Sequence, residues 1–150
     1  MGPDFNMDEW LRCWLLDTSG INTLEPVVEY DHFTGQLSSL KIKQGLGMRG
    51  KNRLKIQKLD IGLYNRSNPS EKPVIIKDVV LRDYDQDTPI DLSAIFLPAG
   101  FVLGAVYLNE GGYAVAKVRF DSASRDWFTS NLEKVADPLT RASIWRQLWL

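Results

Sequence analysis

Hydrophobic positions change their period twice along the chain. Near the start, Trp10, Leu11, Trp14 and Leu15 fall at i, i+1, i+4 and i+5, which predicts a helix over 8–17 with one apolar stripe. Thr18-Ser19-Gly20 then stops it, with Gly20 suited to a left-handed cap. From Pro26 to Asp121 the period drops to two. Residues 26–30 and 36–43 flank Asp31-His32-Phe33-Thr34-Gly35, a hairpin pattern. In the second arm Leu37 and Leu40 differ in phase. Residues 53–65 give the longest strand candidate, with Leu54 and Ile56 in one phase and Leu59, Ile61 and Leu63 in the other. A period of two shifts phase only through an extra residue, so a bulge is expected near Gln57-Lys58. Strands follow over 73–81 and 101–108. The latter is apolar on both faces, as a central buried strand is. Then Ala114, Ala116, Val118 and Phe120 alternate with Val115, Lys117, Arg119 and Asp121.

The segments between these runs, 65–72, 83–88, 98–100 and 109–112, are rich in turn residues. Beyond them the helical period returns. Asp121 or Ser122 caps a helix with Phe128, Leu132 and Val135 at i, i+4 and i+7, and Asp137-Pro138 opens a last helix carrying Leu139, Ala142, Ile144, Trp145, Leu148 and Trp149. Six or seven short strands without intervening helices predict a mainly β fold, an antiparallel β-sandwich with short flanking α-helices at both ends. The unfinished apolar stripes at both ends are expected of a segment cut from a longer protein.

Composition adds little beyond a globular class. With 44% apolar and 25% charged residues the chain has the material for a core and is not expected to be disordered. A net charge of −1 offers no reason to expect nucleic acid or an anionic membrane surface. Charge is uneven all the same: residues 41–58 hold seven Lys or Arg and no acid, whereas 78–91 hold five Asp and one Arg. Such a basic run serves an anionic partner or, more often, is a solvated hairpin. One cysteine, Cys13, makes an internal disulfide framework impossible and agrees with a reducing, cytoplasmic setting. No apolar run is long enough for a membrane span, and the first residues lack a signal-peptide pattern. Asn65-Arg66-Ser67 fits a glycosylation sequon, which matters only in a secreted protein.

Candidate chemistry is sparse. Zinc sites need convergent His, Cys or carboxylate ligands, and the chain has one histidine, His32, one cysteine and no His-Glu-x-x-His. His32 in its hairpin loop reads as an exposed bystander, and Cys13 among Trp10, Leu11 and Trp14 as a small buried residue. A Ser-His-Asp triad built on His32 lacks the Gly-x-Ser-x-Gly elbow. Asp83, Asp85, Asp87 and Asp91 could crowd a cation but lack the calcium-loop spacing, and a solvated acidic loop is the commoner outcome. Gly45-Leu46-Gly47-Met48-Arg49-Gly50 matches the dinucleotide fingerprint in letters, yet Lys51 onward reads as strand where a helix N-terminus is required. Trp10, Trp14, Trp127, Trp145 and Trp149 all fall in helical stretches, which favours packing over a carbohydrate- or peptide-binding platform on the strands. No catalytic, cofactor-binding or metal residue is therefore assigned.

Three stretches resemble the aminopeptidase N-type zinc metallopeptidases. Trp14-Leu15-Leu16-Asp17-Thr18-Ser19-Gly20-Ile21-Asn22-Thr23-Leu24 is similar to the junction that closes that family's catalytic domain. Leu59-Asp60-Ile61-Gly62-Leu63-Tyr64 is similar to a strand of the next domain. Tyr113 to Asp121, followed by Asp137 to Arg146, resembles the last strand of the sandwich and the first helix of the C-terminal helical domain. The resemblance implies residues 1–23 as the end of the catalytic domain, 24–121 as the β-sandwich and 122–150 as the start of the helical domain. It implies a non-catalytic structural segment of an enzyme that removes N-terminal residues from peptides. Zinc would belong to the parent enzyme, with its ligands upstream of residue 1, and the segment's partners would be the neighbouring domains of the same polypeptide. Whether the chain is itself part of an enzyme is left open by its residues. The competing reading is an independent β-sandwich module binding peptide or carbohydrate. The two differ at the ends, where a segment should expose the Trp10/Trp14 and Trp145/Trp149 stripes or pair them with another copy.

Overall fold

The structure is a computed structural model and describes residues 6–16, 20–46, 54–83 and 85–149. A short helix α1, Met7–Leu11, runs on as a π-helical turn Arg12–Leu16. Seven strands follow: β1 Thr23–Tyr30, β2 Leu37–Gly45, β3 Gln57–Asn65, β4 Val74–Leu81, β5 Asp87–Pro89, β6 Leu103–Glu110 and β7 Lys117–Val118. Helix α2, Ser122–Asn131, tightens into a 3-10 turn Leu132–Lys134, and α3 spans Pro138–Trp149. The strands form two sheets, in the orders β5-β2-β1-β7 and β4-β3-β6. Pairing is antiparallel except for the two-residue contact of β7 with β1. The expected mainly β, sandwich-like architecture with helices at both ends is what the chain adopts.

Period two explains the first sheet directly. On β1 and β2 the pairs Leu24↔Gln44, Pro26↔Ile42 and Val28↔Leu40 share the inner face, while Glu25↔Lys43 and Val27↔Lys41 share the outer one. β5 adds Asp87 opposite Lys43. The basic run on β2 thus lies between strands that place acids across from it, and Lys41 and Lys43 are exposed on this mixed face. The phase conflict between Leu37 and Leu40 has a simple cause. Glu29 pairs with Ser39 but Tyr30 with Leu37, so Ser38 is extra and lets both leucines face inward. The hairpin loop closes through Gly35, at φ 68°, whose amide donates to the Asp31 carbonyl at 2.8 Å. The Asp31 carboxylate accepts the Phe33 and Thr34 amides at 2.8 Å each. Those bonds to the ionised form hold its carboxyl below the usual range.

The second sheet departs from expectation in three ways. The strand predicted over 53–65 begins only at Gln57. Leu54, Lys55 and Ile56 have no strand pairing and instead contact Cys13 and Trp14 of the π-helical turn, and Arg53 lies outside the described residues. The phase shift there marks a strand boundary, not a bulge at Gln57-Lys58. The true irregularities lie further on, and their extra residues sit in the neighbours of β3. Leu59 pairs with Val79 and Ile61 with Ile76, leaving Lys77 and Asp78 opposite Asp60 alone. Asp78 has φ 61°, and its amide donates to Asp60 Oδ1 at 2.9 Å. On the other side Asp60 pairs with Glu110 and Gly62 with Tyr107, so β6 also carries one residue more.

The third departure concerns β6. All eight of its residues are buried, as a central strand's would be, yet β6 is an edge strand. Helix α2 covers it: the Ser124 hydroxyl accepts the Val106 amide at 2.8 Å, which supplies a partner no strand provides. The 83–88 turn also hides β5, whose pairing with β2 local composition does not announce. Ala114, Val118 and Phe120 are buried and Val115 and Arg119 exposed, as the alternation requires, although only Lys117–Val118 pairs as strand.

Both sheets and both C-terminal helices feed one core. β3 is buried on both faces. Leu59, Ile61 and Leu63 point into the sandwich, and Tyr64 points to the helices, its ring 5.1 Å from Phe128 and 5.8 Å from Trp127. Tyr107 and Phe120 stack at 6.0 Å on the same side. Gly104 allows this layer to close, since a Cβ there would lie 2.5 Å from Trp127 Nε1.

Candidate functional site

The residues singled out by chemistry do not converge. His32 is exposed in the β1–β2 hairpin loop. Cys13 is fully buried, its thiol 3.5 Å from the Leu54 carbonyl, in keeping with a packing role. Of the acidic loop, Asp87 lies in β5. Asp91 accepts the Ser93 amide and hydroxyl at 2.9 and 2.6 Å, which lowers its pKa, the hydroxyl bond contributing most. The carbonyls of Arg82 and Asp85 both accept from Gln44 Nε2 at 2.9 Å, so this loop folds around a buried amide from β2. Among the described residues no three His, Cys, Asp or Glu side chains are grouped to hold a metal ion. In the 45–50 glycine segment, Gly45 ends β2, and residues 47–50 lie outside the described residues. Asn65 of the sequon bonds to Glu71 at 2.9 Å and accepts the Ser67 amide at 3.1 Å, forming a tight turn after β3.

The densest polar constellation was not singled out in the sequence. It lies where α3 meets the sandwich, on the side of β3 opposite the inter-sheet core. Glu110, at the end of β6, is 9% exposed and projects over Gly62, where a Cβ would lie 2.5 Å from its Oε2. The Tyr64 hydroxyl donates to Glu110 Oε2 at 2.8 Å. The Thr140 hydroxyl lies 3.3 Å from Glu110 Oε1 and 2.7 Å from Asp137 Oδ2. Asp137 caps α3 through the Thr140 amide at 2.8 Å, as Asp137-Pro138 predicts. Desolvation raises the Glu110 pKa, with Asp137 and Asp60 adding in the same direction against the two hydroxyl bonds. Burial, with Glu110 beside it, pushes the Tyr107 phenol up to about 12 and moves Tyr64 upward as well. The signal that could have found this group is an acid at the end of a mostly apolar strand.

Two apolar surfaces flank this architecture. On α3 the buried stripe is Thr140 and Ile144 with half-buried Leu148, not the arc of Leu139, Trp145 and Trp149, which are 77%, 53% and 74% exposed. The Trp145 and Trp149 rings meet edge to face at 5.5 Å. Trp145 borders an open groove of about 680 Å³ between α2, the 3-10 turn and α3, lined also by Leu132, Pro138, Arg141 and Leu148. At the other end Leu15 and Leu16 are 72% and 77% exposed. Trp10 and Trp14 are half-buried with ring centres 6.3 Å apart, and Trp14 Nε1 donates to the Ile56 carbonyl at 2.8 Å. No helix among the described residues is long and apolar enough to cross a membrane. Compared with known proteins, the sequence matches no family model and no curated protein.

Proposed function

We propose that the chain is a structural β-sandwich segment that positions neighbouring domains of a larger polypeptide. The observation that carries this reading is where apolar surface remains exposed. Leu15 and Leu16 on the first helical element and Leu139, Trp145 and Trp149 on α3 stand open on helical faces, whereas the equally exposed Phe33, Phe96 and Tyr113 lie in loops. Contiguous exposed apolar faces are where another structure packs. The helix-sandwich-helix order puts these faces on the first and last helical elements, and in this reading they are where neighbouring domains would pack.

The particular parent we propose is a zinc-dependent aminopeptidase of the aminopeptidase N type, in a cytoplasmic setting that a single buried thiol suits. The motif-like stretches support it through their order and their places. Leu59 to Tyr64 forms the buried middle of β3, and Asp137-Pro138 opens α3. In this role the sandwich is a spacer with no reacting group of its own. It sets the distance between a catalytic domain on the α1 side and a helical domain on the α3 side. Sequencing the native transcript on both sides tests the reading. An in-frame His-Glu-x-x-His upstream, with a further Glu beyond it, is the expected result. A start and a stop codon bracketing these residues would overturn it in favour of a self-contained binding module.

A further inference from the structure

The Glu110 seam has a property that does not depend on the proposed parent. Three elements meet at one buried carboxyl: β6 carries Glu110, β3 supplies Tyr64 and Asp60, and α3 supplies Thr140 and Asp137. Tyr107, the other titratable side chain close by, lies on β6 itself. The cation next along α3, Arg141, donates instead to the Val135 and Ala136 carbonyls, at 2.6 and 3.3 Å. The groups that act on Glu110 are hydroxyls and acids.

Proton accounting then distinguishes two states. Thr140 has one hydroxyl hydrogen and two carboxyl oxygens within reach, Asp137 Oδ2 at 2.7 Å and Glu110 Oε1 at 3.3 Å. With a proton on Glu110 Oε1 the chain closes. Tyr64 donates to Oε2, Oε1–H donates to the Thr140 oxygen, and the Thr140 hydrogen goes to Asp137. Without that proton, Glu110 Oε1 and Asp137 compete for one hydrogen, and a buried negative charge faces Asp137 and Asp60. We propose that Glu110 is a proton-operated latch: protonated, it holds α3 on the sandwich, and ionised, it loosens α3.

The sign follows from linkage. Glu110 is shifted upward in the folded chain, chiefly by burial, so the stability it adds is fully present below its unfolded value, about 4.3. That stability is lost as pH rises through the raised folded value. The Asp137 carboxyl is lowered, first by the Thr140 hydroxyl and then by the Thr140 amide. Its contribution is present above the ordinary carboxylate range and is lost at still lower pH, outside the Glu110 window.

Amide hydrogen-exchange protection factors, measured from about pH 4.5 to about pH 8 on the whole chain, test the latch. The expected result is that protection within α3 falls about tenfold for each unit by which the Glu110 pKa is raised, while β3 protection holds. In Glu110→Gln, whose amide mimics the protonated acid, α3 protection should stay at its low-pH level throughout. Constant α3 protection in the wild type, or the same fall in Glu110→Gln, would overturn the proposal. Should that variant fail to fold, the carboxyl carbon of Glu110 in the wild type decides by NMR titration. A midpoint above the ordinary glutamate range, coincident with the loss of α3 protection, supports the latch, and a midpoint within that range rejects it.

Discussion

The two helical attachments of this sandwich are held in different ways. At the C-terminal side α2 is part of the core. Phe128 is fully buried, its ring within 6.4 Å of those of Tyr64, Tyr107, Phe120 and Trp127, and Ser124 completes the hydrogen bonding of an edge strand. At the N-terminal side one residue, Cys13, is fully buried. Among the described residues the contact includes side-chain bonds to carbonyls, Trp14 to Ile56, the Cys13 thiol to Leu54 and the Lys55 ammonium to Cys13, with Lys55 over the Trp14 ring at 5.5 Å. Aromatic area and a covered strand edge make one helix inseparable from the sheets. Among the described residues, directional bonds and a small buried contact around Cys13 and Leu54 hold the other. The N-terminal element should therefore open more readily than the rest.

Breaking the C-terminal attachment should have the largest effect. Phe128→Ala removes a ring packed by four others and should destabilise the fold by about 3–5 kcal/mol, measured by urea unfolding. A loss below ~1 kcal/mol would mean that α2 is as loosely attached as α1. Ser124→Ala comes next. It leaves the buried Val106 amide without its acceptor and should cost about 1–3 kcal/mol, with the new exchange confined to β6 and α2. On the other side Trp14→Phe removes one donor to a half-buried carbonyl. We expect about 0.5–1.5 kcal/mol, seen as faster exchange in α1 with the sheets unchanged. A global loss of protection would show that the two attachments are equivalent after all. The smallest effect is expected at the hairpin loop, where His32 is exposed. His32→Ala should shift stability by less than ~0.5 kcal/mol. It should also leave intact any hydrolytic activity of the chain, and loss of such activity would revive a catalytic role for this exposed histidine.

Much of this was legible in the sequence. Alternation put Leu59, Ile61 and Leu63 on one face of their strand and Ala114, Val118 and Phe120 on one face of theirs, and all six are buried. Asp121 and Asp137 were readable as helix caps because capping is a local bond spanning three residues, and both structural bonds are present, at 3.1 and 2.8 Å. Phase conflicts were detected correctly, but their meaning was not. The Leu37/Leu40 conflict is a true bulge at Ser38, and the Ile56/Leu59 conflict is the start of a strand. A single chain shows that the phase breaks. Only its neighbours show which strand carries the extra residue.

The sequence by itself determined a mainly β chain with helical ends, its caps, its hairpin and part of its core, since each follows from local period and local hydrogen bonding. Tertiary structure alone decided the rest. It made β6 an edge strand that is nonetheless buried, because a helix distant from the sheet in local terms supplies the missing acceptor. It turned three residues in an acidic turn into β5, because β2 offered Lys41, Ile42 and Lys43 as partners. It also gathered Glu110, Tyr64, Thr140 and Asp137 from three elements into one seam. No window along the chain contains that seam, because a buried carboxyl is defined by what surrounds it in space.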